Sequence, residues 1–225
     1  MNEWPHLGHI ISANCDDASD IMARRFSLIG QINSILCNFK KVDCSTKIRL
    51  VKAYCTSFYG CELWDLANNS IESICTAWRR GIRQVWQLPY NAHSSLLPGL
   101  SEVLPLNDLF YKRMLNFTYQ CLKSHSPIVN FIARHGILCS RMNSTIGRNV
   151  MSCCERYYTT IDSIIDQKFS VNKIDQAVKT VSAEVFNNVN MLRELICCRD
   201  GTFRLSNASF NTEDIIQLII LVCTS

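Results

Sequence analysis

The stretch Ser70–Trp86 constrains this chain more than any other. Ile71, Ile74, Cys75, Trp78, Ile82, Val85 and Trp86 fall within about 120° of arc at 100° per residue, a helical period that no strand produces. Arg79, Arg80 and Arg83 gather on the facing side. One surface is built to pack, and the other presents three guanidinium groups. Few turn-formers interrupt the rest of the chain, with 8 Gly and 5 Pro among 225 residues, which argues against sandwiches and barrels. The expected fold class is therefore mainly α: a helical bundle with a short N-terminal β-hairpin.

That hairpin is expected at Trp4–Ser12 (WPHLGHIIS), short, rich in β-formers and bent at Gly8. Asp16, Asp17, Ser19 and Asp20 supply capping oxygens and an acidic first turn for a helix running to about Asn38, with Ile21, Leu28, Ile32 and Ile35 on one face. Ser45 is expected to cap a second helix through Phe58. A loop-rich connection follows Pro89, with a short helix near His93–Leu97. Further helices are expected at Leu106–Lys123, from Pro127 to His135–Gly136, from Asn149 to Cys198, and from Thr212, with residues 139–148 as loop. This divides the chain into a β segment (1–15), a helical unit (16–90), a helical connection (91–160) and a helical tail (161–225).

In the tail, Val171, Ile174, Val178, Val181, Val185, Asn188, Leu192 and Leu195 repeat at alternating spacings of three and four. Such a heptad seam with one polar Asn suits self-association, since a buried Asn fixes register and oligomeric state. The same pattern also suits a helix packed within its own domain.

Thirteen cysteines would suggest disulfides in a secreted chain, but the number is odd and they lie within helical periodicity, as small hydrophobes do. No signal-peptide pattern is read at Met1, and the longest apolar run, Leu218–Cys223, falls far short of the ~20 residues that span a bilayer. The expectation is an intracellular protein, nuclear or cytoplasmic, without a membrane span. The net charge of +4 is uneven: residues 21–90 carry ten Lys and Arg against four acids. That basic block points to a polyanion partner, against the plainer reading of a solvated surface.

Motifs for chemistry are scarce. There is no GxxxxGK[ST], GxGxxG, GxSxG or HExxH. Asp16–Asp17 lies in a turn before a helix, where capping explains it better than metal binding. Cys121, His125, His135 and Cys139 are a weak zinc candidate, because two pairs one helical turn apart resemble no strong finger spacing. No catalytic residue, metal or cofactor is assigned, and function is expected to come through binding.

Several stretches together resemble one family. WPHLGHIIS (Trp4–Ser12), CSTKIRLVKAYCTSFYGCELW (Cys44–Trp64), TAWRRGIRQVWQLP (Thr76–Pro89), the His-x-x-Leu-Leu of His93–Leu97, FIARHGI (Phe131–Ile137) and IGRN (Ile146–Asn149) are similar, in that order, to the part after the palm in reverse transcriptases of non-LTR (LINE-type) retrotransposons. The resemblance covers about residues 4–157. It implies a primer-grip turn at Leu7 and Gly8, and a thumb over Asp17–Val85 lying against an RNA or DNA template–primer duplex. It implies contacts from Arg24, Arg25, Lys47, Arg49, Lys52, Arg79, Arg80 and Arg83. The family's aromatic-x-Asp-Asp strand, which holds Mg in the parent RNA-directed DNA polymerase, would precede Trp4, so this chain alone is expected to be inactive. A thumb reads duplex shape and phosphates rather than base edges, for which cationic helix flanks suffice.

Overall fold

The computed structural model describes residues 3–6, 8–88, 90, 92 and 94–183. Two strands open the chain, β1 (Glu3–His6) and β2 (His9–Ser12), paired antiparallel with Trp4 opposite Ile11 and His6 opposite His9. Gly8, at φ +82°, makes the tight turn between them. Helices follow: α1 (Ala18–Asn38), α2 (Cys44–Tyr54), α3 (Ser70–Val85), α4 (Leu96–Ser101), α5 (Leu106–Leu122), α6 (Pro127–Leu138), α7 (Thr145–Tyr157) and α8 (Ile161–Ile165). A 3-10 turn at Cys61–Leu63 links α2 to α3, and residues 172–183 are again helical. The fold is mainly α with an N-terminal hairpin, as the periodicity predicts.

One hydrophobic core runs from Ile21 to Ile174. The stripe on α3 is buried as its spacing requires, and α1 lies along it. Beneath them Phe58, Trp64 and Phe110 meet edge to face, with Phe110 5.4 Å from Phe58 and 5.2 Å from Trp64 between ring centroids.

Asp20 does more than supply charge to a helix start. It is buried, accepting hydrogen bonds from the Trp64 indole at 2.8 Å and from the Ile10 backbone N–H at 3.0 Å. The His9 imidazole lies 3.0 Å away. One carboxylate thus ties the hairpin, α1 and the turn before α3 together. Asn149 fastens the far side, accepting from the Leu66 N–H at 2.9 Å and donating to the Trp64 carbonyl at 2.8 Å. Arg148 reaches Asp65 at 2.7 Å beside it.

Several boundaries depart from expectation. Asp43 caps α2, its carboxylate accepting from the Thr46 N–H at 2.7 Å, so the cap is two residues before Ser45. The helix stops at Tyr54 rather than Phe58. Asp17 is the residue before α1, but its side chain accepts from the Asp65 N–H at 2.7 Å instead of capping its own helix. Residues 145–148 belong to α7, whose start is capped by Ser144 through the Gly147 N–H at 3.0 Å. The expected long helix from Asn149 is broken at Tyr158, in the left-handed region at φ 50°, and again at Gln167 at φ 57°. After Tyr158, Thr160 caps α8.

Of the heptad seam, Ile174 is fully buried in the chain's own core, whereas Val181 is exposed. Asp175 pairs with Lys112 of α5 at 2.7 Å, so the first part of that helix is held against its own domain. Val185, Asn188, Leu192 and Leu195 lie outside the described residues, as does Leu7 of the hairpin turn.

Candidate nucleic-acid interface

The cations of residues 21–90 prove unequal once their partners are known. Arg24 donates to the Gly8 carbonyl and lies 3.8 Å from Asp20, so it secures the hairpin turn to α1. Lys47 is buried, with its ammonium 3.4 Å from the Lys40 carbonyl. Lys52 reaches the Glu102 carbonyl at 3.3 Å. Arg49, on the outer face of α2, is exposed.

The three arginines of α3 divide just as sharply. Arg83 spans the loop before α4, donating to the Ala92 carbonyl at 2.9 Å and to the Ser94 hydroxyl at 2.7 Å. Burial and then the neighbouring charge of Arg79 draw its guanidinium pKa down. Arg79 is held by Glu72 and by the Thr76 hydroxyl, the latter at 2.8 Å. Arg80 alone of the three is exposed, and no acid among the described residues pairs with it.

Arg80 faces Arg25 across a groove between α1 and α3. The groove encloses about 390 Å³, with a floor of Ile29, Ile32, Ala77 and Gly81 and polar walls from Asn33, Thr76 and Gln84. No acid lines it. The Arg25 Nε is buried without a hydrogen-bond partner, and the Arg25 guanidinium carbon lies 5.5 Å from the Phe26 ring centroid. The two helices come this close because position 81 has no side chain: a Cβ there would overlap the Ile32 Cδ1. The amides and the threonine hydroxyl are uncharged and carry no signal in a count of basic residues. Their place on the groove walls is visible only once α1 and α3 are packed.

This arrangement suits a polyanion backbone. Guanidinium groups give bidentate donors to phosphate oxygens, Asn, Gln and Thr add neutral donors, and an apolar floor excludes water. It does not suit covalent chemistry through the core thiols, since burial pushes Cys61, Cys75 and Cys153 each up to about 12, leaving them neutral.

The zinc candidate is not assembled. Cys121 lies half-buried on α5, His135 of α6 stacks on Phe131 with centroids 5.7 Å apart, and Cys139 follows α6 exposed. Among the described residues no three or more His, Cys, Asp or Glu come close enough to hold a metal. No helix among them is long and apolar enough to cross a membrane. No protein-family model, curated protein or solved structure matches the chain.

Proposed function

We propose that this protein binds the sugar–phosphate backbone of an RNA–DNA hybrid or duplex, in the manner its resemblance to the post-palm region of non-LTR reverse transcriptases implies, and that the α1/α3 groove is its contact surface. The observation carrying this reading is the convergence of Arg25 and Arg80 on one acid-free groove. Arg49 is exposed on α2, while Arg24, Lys47 and Arg83 serve the fold and contribute charge at a distance. A ligand of this kind places the protein in the nucleus or cytoplasm, where its cysteines stay reduced.

Binding of a labelled hybrid, followed by anisotropy across salt concentrations, tests the reading. Affinity should fall linearly on a log–log plot, without preference among sequences. Substituting Arg25→Ala and Arg80→Ala together should lower that slope by roughly 2, one per lost phosphate contact. Binding that ignores ionic strength, or a double variant that binds like the parent chain, would overturn it.

A further inference from the structure

Helix α6 leaves most of its large hydrophobes on the surface. Its buried residues are Ala133, Gly136 and Ile137, while Ile128, Phe131 and Ile132 stand 69%, 66% and 62% exposed. They lie three and four residues apart on one face, and Leu138 at the end of the helix and Met142 in the turn after it are also exposed. At Gly136 the inward face is small because α7 approaches closely: a Cβ there would sit 2.7 Å from the Ile146 Cγ2. A contiguous stripe of large apolar side chains on a surface marks an interaction site.

The charge around the stripe is mainly basic, with Asp166 of the turn after α8 close enough to feel Arg134. From Leu109 to Cys154 the sequence holds six Lys and Arg and no Asp or Glu, and Lys123, Arg134 and Arg141 flank α6 exposed to solvent. The complementary composition occurs in the same chain. Residues 205–225 hold Glu213 and Asp214, no Lys, Arg or His, and then the apolar run Ile215–Cys223 broken only by Gln217. Thr212 and the two acids form the start signal of a helix whose apolar part would follow. Residues 184–211 connect it covalently to the described chain.

We propose that residues 212–223 of the same chain dock on the exposed face of α6, Ile215–Cys223 covering Ile128, Phe131 and Ile132 while Glu213 and Asp214 meet the basic rim. Intramolecular docking is favoured over a second copy because the tether raises the effective concentration of the segment at α6. This inference stands apart from the α1/α3 groove and survives or fails independently of it.

Amide hydrogen exchange on the full chain, read by mass spectrometry alongside sedimentation velocity, tests it. The pair Ile219→Glu with Ile220→Glu should speed exchange in 128–138 about tenfold or more without altering α3. Reciprocally, Phe131→Glu should speed exchange in 212–223. Phe26→Glu, an equally exposed aromatic on α1, should change neither. The chain should sediment as a monomer throughout. Unchanged exchange in either segment overturns the proposal. So does a dimer that Phe131→Glu dissociates, which would assign the face to a second copy.

Discussion

Helices α3 and α6 are both amphipathic, and they are oriented by opposite logic. In α3 the large residues Trp78, Ile74 and Ile82 point inward and the arginines outward, so the helix buries what water disfavours most. In α6 the inward residues are Ala133, Gly136 and Ile137, while Ile128, Phe131 and Ile132 face out. The difference is geometric. Each helix has one close approach, α3 to α1 at Gly81 and α6 to α7 at Gly136, where Ser144 donates from its hydroxyl to the Gly136 carbonyl at 2.7 Å; beside its glycine α3 buries Trp78, Ile74 and Ile82, whereas α6 buries only Ala133 and Ile137. A close crossing requires a residue without a side chain at the point of contact, and the two helices differ in how much apolar volume is buried beside that point.

The comparison yields predictions in order of size. Trp78→Ala empties the centre of the α3 face and should cost about 3–5 kcal/mol, read as a lower urea midpoint. Gly147→Ala probes the α6–α7 crossing. The added methyl would lie 2.6 Å from the Gly136 carbonyl, a backbone atom that cannot swing aside, and should cost roughly 1–3 kcal/mol. A loss below about 0.5 kcal/mol in the same urea titration would mean that the crossing is looser than described.

The buried thiols beneath these helices give a pH dependence. Cys61, Cys75 and Cys153 are raised from 9.0 to about 12 in the folded state, so the unfolded chain ionises first. Stability is therefore fully present below pH 9 and lost as pH rises from 9 towards 12, by about 1.4 kcal/mol per unit for each thiol. A urea midpoint unchanged between pH 8 and 10 would contradict it. The same burial predicts that Cys15, Cys37 and Cys139, which are exposed, react with a thiol reagent well before these three.

Two changes should be mild. Gly30→Ala on α1 meets no atom within 4 Å and should stabilise by about 0.5–1 kcal/mol, the reverse of Gly147→Ala. Arg80→Ala should leave the unfolding midpoint within about 0.5 kcal/mol while weakening hybrid binding. Arg83→Ala, which loses two hydrogen bonds to the loop before α4, should show in stability as well. That contrast separates the arginine that serves the ligand from the one that serves the fold.

Periodicity made α1, α3 and α5 legible, because each has an unbroken apolar stripe and few competing turn signals. It misled where a single residue in the left-handed region ends a helix without Gly or Pro. At Tyr158 the chain turns because Thr160 and α8 beyond it are held by packing, which local sequence does not announce. The cap of α2 was placed two residues late because Asp43 and Ser45 are both good N-cap residues, and only the bond from Thr46 chooses between them. The candidate interface was legible as a block of charge but not as a set of contacts. Arg24, Lys47 and Arg83 look like Arg25 and Arg80 in the sequence and differ only in what lies near them.

By itself the sequence determined that this chain is mainly helical, where its strongest helices lie and which cations are available, since these follow from local spacing and side-chain chemistry. The tertiary structure decided which cations are spent on carbonyls and carboxylates, which two share a groove, and which face of α6 meets water. Those outcomes depend on distances between residues far apart in the chain: Asp20 to Trp64, Ile32 to Gly81, Gly136 to Ile146. No local pattern encodes such distances, because they are set by how closely two helix backbones can approach.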